Sequence, residues 1–296
     1  MTKVILIQNK NPLSESERFQ PERLTRMFEI GIKLLSGSGD LKDTLHSIFK
    51  HNEKIGIKIN TIAGKRLSTR PEVSLSLSRL IAGHCTGEDN ITIWDRSNRE
   101  LKQAGYHLNL NRKGIKVFGT DTEGIGYGRD LLPHLNTGSL FSTIQERLIH
   151  SSISLAVLKD HGLAGVTAGM KNYFGAIHNP NKYHDHNCNP FIAEIFDHAL
   201  IKKKHRLSVL DALTIQYHRG PAYHSEWAER SNTLIFGFDP VAVDAVGWNI
   251  IEVLRAQKGL PSIKEEKRVP LYLETANRMG LGQNDLDKIQ IMEEKI

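Results

Sequence analysis

The sequence predicts an α/β fold in which a mostly parallel sheet is flanked by helices on both faces. Seven short apolar runs, many of them β-branched, recur along the chain, and continuous runs of this kind are typical of strands buried on both faces. Amphipathic stretches lie between several of these runs, with proline near the start of some and glycine at the end of others. This alternation of strand and helix favours a parallel sheet covered by helices.

The elements follow in a simple order along the chain. The predicted strands cover residues 4–8, 54–60, 90–95, 115–119, 153–158, 206–213 and 232–238, and the predicted helices cover 21–35, 71–83, 189–200 and 239–259. We expect Asn189 to cap the third helix with Pro190 as its first residue. Asp239 and Pro240 repeat that pattern in the fourth helix.

Length and composition indicate one globular α/β domain over residues 1–296. A stretch around 119–140 is rich in glycine and weak in periodicity, so the sequence leaves open a small inserted lobe there. Its glycines Gly124, Gly126 and Gly128 lack the spacing of a dinucleotide fingerprint and favour a flexible loop.

The balance of charge favours a small anionic ligand. The net charge is +6, but the excess is diffuse, aromatic residues make up only 7%, and no nucleic-acid module is visible, so we do not expect nucleic acid as the partner. No apolar run is long enough to cross a bilayer or to serve as a signal peptide, and we expect a cytoplasmic protein without a membrane partner. Two cysteines, Cys85 and Cys188, are too few for a disulfide framework or a four-thiolate metal site. The sequence leaves open whether the protein forms a homo-oligomer.

Polar residues follow several of the predicted strands. Lys58 and Asn60 end the second strand, Asp95 ends the third, Lys159 follows the fifth, and Asp211 ends the sixth. Ligands of open parallel sheets bind beyond the carboxyl ends of the strands. We therefore expect Lys58, Asn60 and Lys159 to bind the anion. Asp95 and Asp211 belong to the same predicted substrate-binding set and would orient bases or help hold a metal, with Asp239 as a further candidate besides its capping role.

The segment 159–186 concentrates the residues that could do chemistry. His161 comes directly after a buried strand, and a glycine-rich stretch then leads through Thr167 to Lys171 and Asn172. Lys171 precedes an aromatic stretch, where desolvation would tune its amine toward base or covalent chemistry. We expect His161 and Lys171 to transfer protons or to stabilise negative charge, and Thr167 and Asn172 to bind the substrate.

Two histidines near the end of this segment suggest a metal site. His184 and His186 are two residues apart, and in an extended segment that spacing puts both side chains on one side. We expect them to hold a divalent metal, with histidines hydrogen-bonded to loop carbonyls as the alternative.

Three separated runs resemble one known family. They are LKDHGLAGVTAGMKNYFGAIHNP, LSVLDAL and FGFDPVAVDAVG. With these runs in this order, the chain resembles the family known as domain of unknown function 362 over residues 54–289. A weaker local resemblance links the first run to the N-terminal half of nickel-pincer lactate racemase. That resemblance implies Lys171 as the anchor of the pincer, His184 or His186 as a nickel ligand, and His161 as an acid–base or orienting residue.

Two functional hypotheses emerge from these residues. The leading one is an enzyme that acts on a small carboxylate or phosphate at the carboxyl edge of the sheet, by isomerisation, racemisation or redox chemistry, with or without a metal. The other is a non-catalytic binding protein for an anionic cofactor or metallocentre. Both would use the same lysines, histidines and glycines, and the sequence does not choose between them.

Overall fold

Strands and helices alternate along the computed structural model, which describes residues 2–10 and 14–296. The strands are β1 (Thr2–Gln8), β2 (Ile55–Ile59), β3 (Ile91–Asp95), β4 (Lys116–Gly119), β5 (Leu132–His134), β6 (Thr137–Ser139), β7 (Ser151–His161), β8 (Gly165–Thr167), β9 (His205–Gln216), β10 (Ala228–Glu229), β11 (Thr233–Gly237) and β12 (Ile289–Lys295). The helices are α1 (Glu15–Arg18), α2 (Pro21–Ser36), α3 (Leu41–Ile48), α4 (Pro71–His84), α5 (Asn98–Gln103), α6 (Phe191–Asp197), α7 (Ala199–Lys202), α8 (Pro240–Gln257) and α9 (Tyr272–Arg278). All seven predicted strands are present.

One large mixed sheet organises the molecule. Its order is β12-β1-β11-β9-β7-β2-β3-β4, and the block from β9 to β4 is parallel throughout. β11 is antiparallel to both β9 and β1, whereas β12 is parallel to β1. The short strands β8 and β10 pair antiparallel with the ends of β7 and β9. The prediction of a mostly parallel sheet is confirmed.

Helices cover both faces of this sheet. On one face, residues such as Phe28 of α2 and Leu77 of α4 pack against strand residues such as Ile57. On the other face, residues such as Val243 of α8 pack with Leu158 of β7, and α6 and α9 join the same core. None of the helices in the described ranges is both long and apolar enough to cross a membrane.

The two predicted helix caps have different outcomes. Asp239 accepts hydrogen bonds from the first two backbone N–H groups of α8 at 2.9 and 3.0 Å, which confirms it as the N-cap. The prediction for Asn189 is wrong, because α6 begins at Phe191 and has no side-chain cap. The Asn189 side chain accepts instead from the hydroxyl of Thr275 at 2.7 Å, and so it ties α9 to this segment.

The stretch around 119–140 carries its own two-stranded hairpin, β5–β6. Gly124 and Gly126 have φ values of +78° and +64°, which glycine adopts without strain. The residues that follow run beside the segment that carries Lys171 and His184, and the amide of His178 donates to the carbonyl of Leu140 at 2.9 Å. This part of the chain therefore supports the outer wall of the region beyond the strand ends.

Two helical glycines provide a matched test of core packing. A Cβ on Gly31 of α2 would lie 2.4 Å from the ring of Phe236, so Gly31→Ala should lower the free energy of unfolding by about 1–3 kcal/mol. A Cβ on Gly83 of α4 would meet nothing within 4 Å, so Gly83→Ala should raise it by about 0.5–1 kcal/mol. Chemical denaturation of both variants measures the two changes, and equal shifts would contradict the packing of α2 on the sheet.

Candidate functional site

A cavity of about 130 Å³ lies beyond the carboxyl ends of β2, β3 and β7. Most of the residues selected from the sequence line it: Lys58, Asn60, Asp95, Lys159, His161, Thr167, Lys171, Asn172 and His184. Most of these residues lie in strands or, like Asn60, directly after one. Lys171, Asn172 and His184 lie in the chain that follows β8. The parallel arrangement thus brings together residues that are more than a hundred positions apart in the sequence.

Lys58 and Asp95 form a buried ion pair at the floor of the cavity. Lys58 Nζ lies 2.7 Å from Asp95 Oδ1 and 3.2 Å from Asn172 Oδ1. Asp95 also accepts from the amide and hydroxyl of Thr61 at 2.8 and 2.7 Å. Burial alone would raise the pKa of Asp95, but Lys58 and these donors outweigh it and hold the pKa below its ordinary value. The pair satisfies its own polar groups and ties β2 to β3.

Lys159 is buried without such a counter-ion. Its side chain has no exposed surface, and Nζ donates to Asn60 Oδ1 at 2.8 Å and to the carbonyl of Leu67 at 3.5 Å. Burial lowers the pKa of Lys159 to about 7, against a smaller opposing effect of Asp95. Within residues 2–10 and 14–296, no carboxylate forms an ion pair with this amine.

Lys171 has a histidine as its hydrogen-bond partner. Nζ lies 3.1 Å from Nε2 of His184, and Nδ1 of His184 lies 3.1 Å from the carbonyl of Pro180. A carbonyl only accepts, so Nδ1 carries the proton of the neutral ring and Nε2 accepts from Lys171. Burial lowers the pKa of Lys171 to about 8, and its ammonium position is 4.4 Å from the centre of the Phe174 ring. The described residues provide no carboxylate for Lys171 either.

His161 is held as a neutral hydrogen-bond donor. Its Nδ1 accepts from the backbone N–H groups of Leu163 and Ala164 at 3.2 and 3.1 Å, which leaves the proton on Nε2. Burial first, and then the nearby Lys171 and His184, lower the pKa of His161 to about 2. The ring stacks on that of His184 with centroids 5.7 Å apart. At neutral pH the geometry therefore favours donation to negative charge over action as a base.

A buried charge network that the sequence reasoning missed holds the backbone of His161 in place. Arg268 Nη1 donates to the carbonyl of His161 and to Asp160 Oδ1, both at 2.8 Å. The fully buried Arg255 lies 4.0 Å from the same carboxylate, and the amide of Gly220 donates to its second oxygen at 2.9 Å. Arg268 lies in the charged run KEEKR, and a run of that kind is typical of a solvated surface. No sequence signal marks it as a partner of Asp160.

Asp244 of α8 is a second residue that the sequence reasoning missed. Its carboxylate accepts from the amides of Gly169 and Met170 at 2.7 and 3.1 Å and from the hydroxyl of Tyr272 at 2.9 Å. Burial raises the pKa of Asp244 to about 7. The contact fixes the turn that immediately precedes Lys171. A lone acid within an apolar helical stretch was the available signal.

Two predicted site residues lie away from the cavity. Asp211 was expected at a strand end, but β9 continues to Gln216, so Asp211 is in mid-strand, where it accepts from the amide of Leu213 at 3.1 Å. His186 is exposed with a φ of +50°, because its segment forms tight turns instead of an extended strand. The extended geometry assumed for His184 and His186 is therefore wrong, and His184 lines the cavity whereas His186 does not.

The predicted ligands of a divalent metal are not grouped in this structure. Across the described parts of the chain, no cluster of three or more His, Cys, Asp or Glu side chains could hold a metal ion. Both ring nitrogens of His184 are engaged, by Lys171 and by a backbone carbonyl. The donor set that transition-metal sites use is therefore not assembled around this histidine.

Fold and cavity together define an α/β protein with a basic cavity at the carboxyl edge of its parallel strands. The chain belongs to the family described as Domain of unknown function (DUF362), whose sequence profile matches residues 55–249. The predicted family is confirmed, and the resemblance to lactate racemase stays a prediction. No curated protein matches the chain.

One solved structure is similar to the chain over most of its length. It is the crystal structure of a protein from Thermotoga maritima, with 13% sequence identity and a TM-score of 0.46. The match covers 84% of this chain and 60% of that chain, so this protein spans well under two thirds of its neighbour's length.

Removing one partner of the buried ion pair should be costly. Asp95→Asn leaves Lys58 charged and buried without a counter-ion, and we expect a loss of about 3–5 kcal/mol in the free energy of unfolding at neutral pH. Because the folded-state pKa of Asp95 is depressed, its stabilisation is present above the unfolded pKa and disappears as pH falls through the folded value. Denaturation curves at neutral and acidic pH measure this. The double variant Lys58→Met, Asp95→Asn should lose less free energy of unfolding than Asp95→Asn alone, because it leaves no buried charge. A larger loss in the double variant would contradict the role of Asp95 as the counter-ion of Lys58.

Removing a lysine that lacks a counter-ion should have the opposite effect. Lys159 is protonated in the unfolded chain up to its ordinary pKa, but burial lowers its pKa in the folded state to about 7, so the folded protein binds this proton only below that value. The loss of folding stability caused by burying this amine is therefore complete below that value, and it shrinks as pH rises toward the pKa of the unfolded chain. Lys159→Met should raise the free energy of unfolding by about 1–3 kcal/mol at mildly acidic pH, and by less in strong alkali. A destabilised variant at mildly acidic pH would contradict a buried, uncompensated amine.

Proposed function

We propose that the protein is an enzyme that binds a small anionic substrate, a carboxylate in the first instance, in the cavity and transfers a proton at the carbon beside the anionic group. The observation that carries this proposal is the pair of buried amines of Lys159 and Lys171, neither of which forms an ion pair with a carboxylate of the described residues. Burying an amine without a counter-ion costs free energy, since its charged form loses hydration. A bound anion would compensate both.

His161 and Lys159 provide hydrogen-bond donors for negative charge that develops during a reaction. His161 offers a neutral N–H from Nε2, and Lys159 offers an amine whose protonation a bound anion would favour. Donors that are fixed in place before the reaction and are shielded from water stabilise an oxyanion or enolate more than they stabilise the neutral ground state. His161 is held through Nδ1, on the side of the ring opposite Nε2, and Lys159 Nζ is held by Asn60 and the carbonyl of Leu67, so both donors are fixed in place.

Lys171 and His184 supply the proton-transfer step. A group acts best as a base when its pKa lies near the working pH, and burial brings the pKa of Lys171 to about 8. His184 Nε2 accepts from the amine and can take up a proton that Lys171 releases. The neutral amine is the active form, so the rate should rise with pH through about this pKa value.

The experiment is solvent deuterium exchange with a panel of small carboxylates and phosphates. Substrates should raise the melting temperature by mass action and should exchange the hydrogen beside the anionic group, as read by NMR or mass spectrometry. Lys171→Arg should retain part of the thermal stabilisation, because arginine keeps the charge, but should slow exchange by about 10²–10⁴-fold. Lys182→Arg is the matched control, since Lys182 is exposed and donates to the carbonyl of Gly138 at 2.7 Å.

Two outcomes would count against this function. Stabilisation by an anion without exchange of any substrate hydrogen would favour the alternative, a non-catalytic binding protein for an anionic cofactor. An unchanged melting temperature with every carboxylate and phosphate would remove the anion site itself.

A further inference from the structure

The three lysines around the cavity are restrained in different ways. Lys58 Nζ is bonded to Asp95, and Lys159 has no exposed surface and donates to Asn60 and to a backbone carbonyl. Lys171 keeps 8% of its surface exposed at the cavity, and its hydrogen-bond partner is a single acceptor, Nε2 of His184. Of the three amines, Lys171 keeps the most exposed surface and is the least restrained by hydrogen bonds.

The surroundings of Lys171 favour its unprotonated form. The amine faces the ring of Phe174, and burial lowers its pKa, with the nearby Cys188 as a smaller opposing influence. With a pKa of about 8, its neutral fraction at neutral pH exceeds that of an ordinary lysine by on the order of a hundredfold. Lysines desolvated in this way, or placed beside another cation, are the nucleophiles of imine chemistry.

We propose that Lys171 Nζ forms an imine with the carbonyl carbon of a 2-oxo carboxylate. This rests on the proposed function and names the substrate class for the same cavity. In a 2-oxo acid such as pyruvate the carbon beside the carboxylate is the carbonyl carbon and carries no hydrogen, so the proton is transferred at the next carbon. The nitrogen lone pair attacks the carbonyl carbon, a C–N bond forms, and the carbonyl electron pair moves to oxygen. The two N–H protons, relayed through His184 Nε2, join that oxygen, the C–O bond breaks and water leaves. Amine and ketone thus become imine and water, and no oxidant or reductant is required.

The rest of the cavity suits the other end of such a substrate. The carboxylate of a 2-oxo acid is bonded directly to the carbonyl carbon, so its binding groups must lie beside the nucleophile. Lys159 and the Nε2–H of His161 line the same cavity, and His161 stacks on the histidine that contacts Lys171. Once the amine is joined to substrate, His184 Nε2 no longer accepts from it. The imine nitrogen takes up a proton from solvent, and the resulting iminium is the electron sink when His184 Nε2 accepts a proton from the next carbon.

Reductive trapping tests the imine directly on the full chain. The protein is incubated at neutral pH with pyruvate or glyoxylate, treated with sodium borohydride, digested and mapped by mass spectrometry. Hydride addition to the imine carbon gives a stable secondary amine. We expect the adduct on Lys171 to exceed that on the exposed Lys182 by on the order of a hundredfold. Lys171→Arg should lose the adduct and Lys182→Arg should retain it.

Site mapping on the unmodified protein makes the test independent of how the variants fold. An adduct on Lys159, or an even spread over surface lysines, would overturn the assignment to Lys171. No adduct from a protein that still exchanges carboxylate hydrogens would refute the imine and leave the proposed function standing. If neither carboxylates nor 2-oxo acids shift the melting temperature and no adduct forms, the proposed function fails together with the imine.

Discussion

The buried ion pair between Lys58 and Asp95 is the constraint on which the rest of the site depends. Taking two charges out of water costs several kcal/mol for each ion, and such a pair persists only when further hydrogen bonds satisfy it. Here Thr61, Asn172 and the backbone supply them, so two strand ends and the turn after Lys171 are locked together. Gly175 permits this closure, because a Cβ there would lie 2.7 Å from Lys58 Nζ and 3.0 Å from Asp95 Oδ1.

The contrast among the lysines follows from that arrangement. The carboxylate of Asp95 is paired with Lys58 and hydrogen-bonded to Thr61, and the hydrogen-bond partners of Lys159 and Lys171 are neutral. Their lowered pKa values are a consequence of position and not of residue type. The same holds for His161, since two backbone N–H groups determine which ring nitrogen carries the proton. The site therefore concentrates donors and weakly basic amines without a neutralising acid.

Much of this could be predicted from the sequence, for identifiable reasons. Buried parallel strands read as continuous apolar runs, so the strands were visible, and parallel topology gathers their carboxyl ends, so Lys58, Asp95 and Lys159 could be placed together. Backbone conformation was not visible at His186, where a positive φ breaks the assumed extended geometry. The extra length of β9, which moves Asp211 into mid-strand, has no local signal. Partners distant in sequence, such as Arg268 and Asp160, leave no periodic pattern at all.

Residues outside the span matched by the family profile, in α9 and at Arg268, make contacts that hold the site together. The profile of the family ends at residue 249, yet Arg268 neutralises Asp160 and Tyr272 donates to Asp244 from beyond it. At the other end, β11 lies inside the profile but pairs with β1, which lies outside it. The matched span is thus a unit of sequence similarity and not a unit of folding. Excised by itself or grafted into another protein, it would carry two buried carboxylates that have each lost a side-chain donor and a sheet with a newly exposed edge.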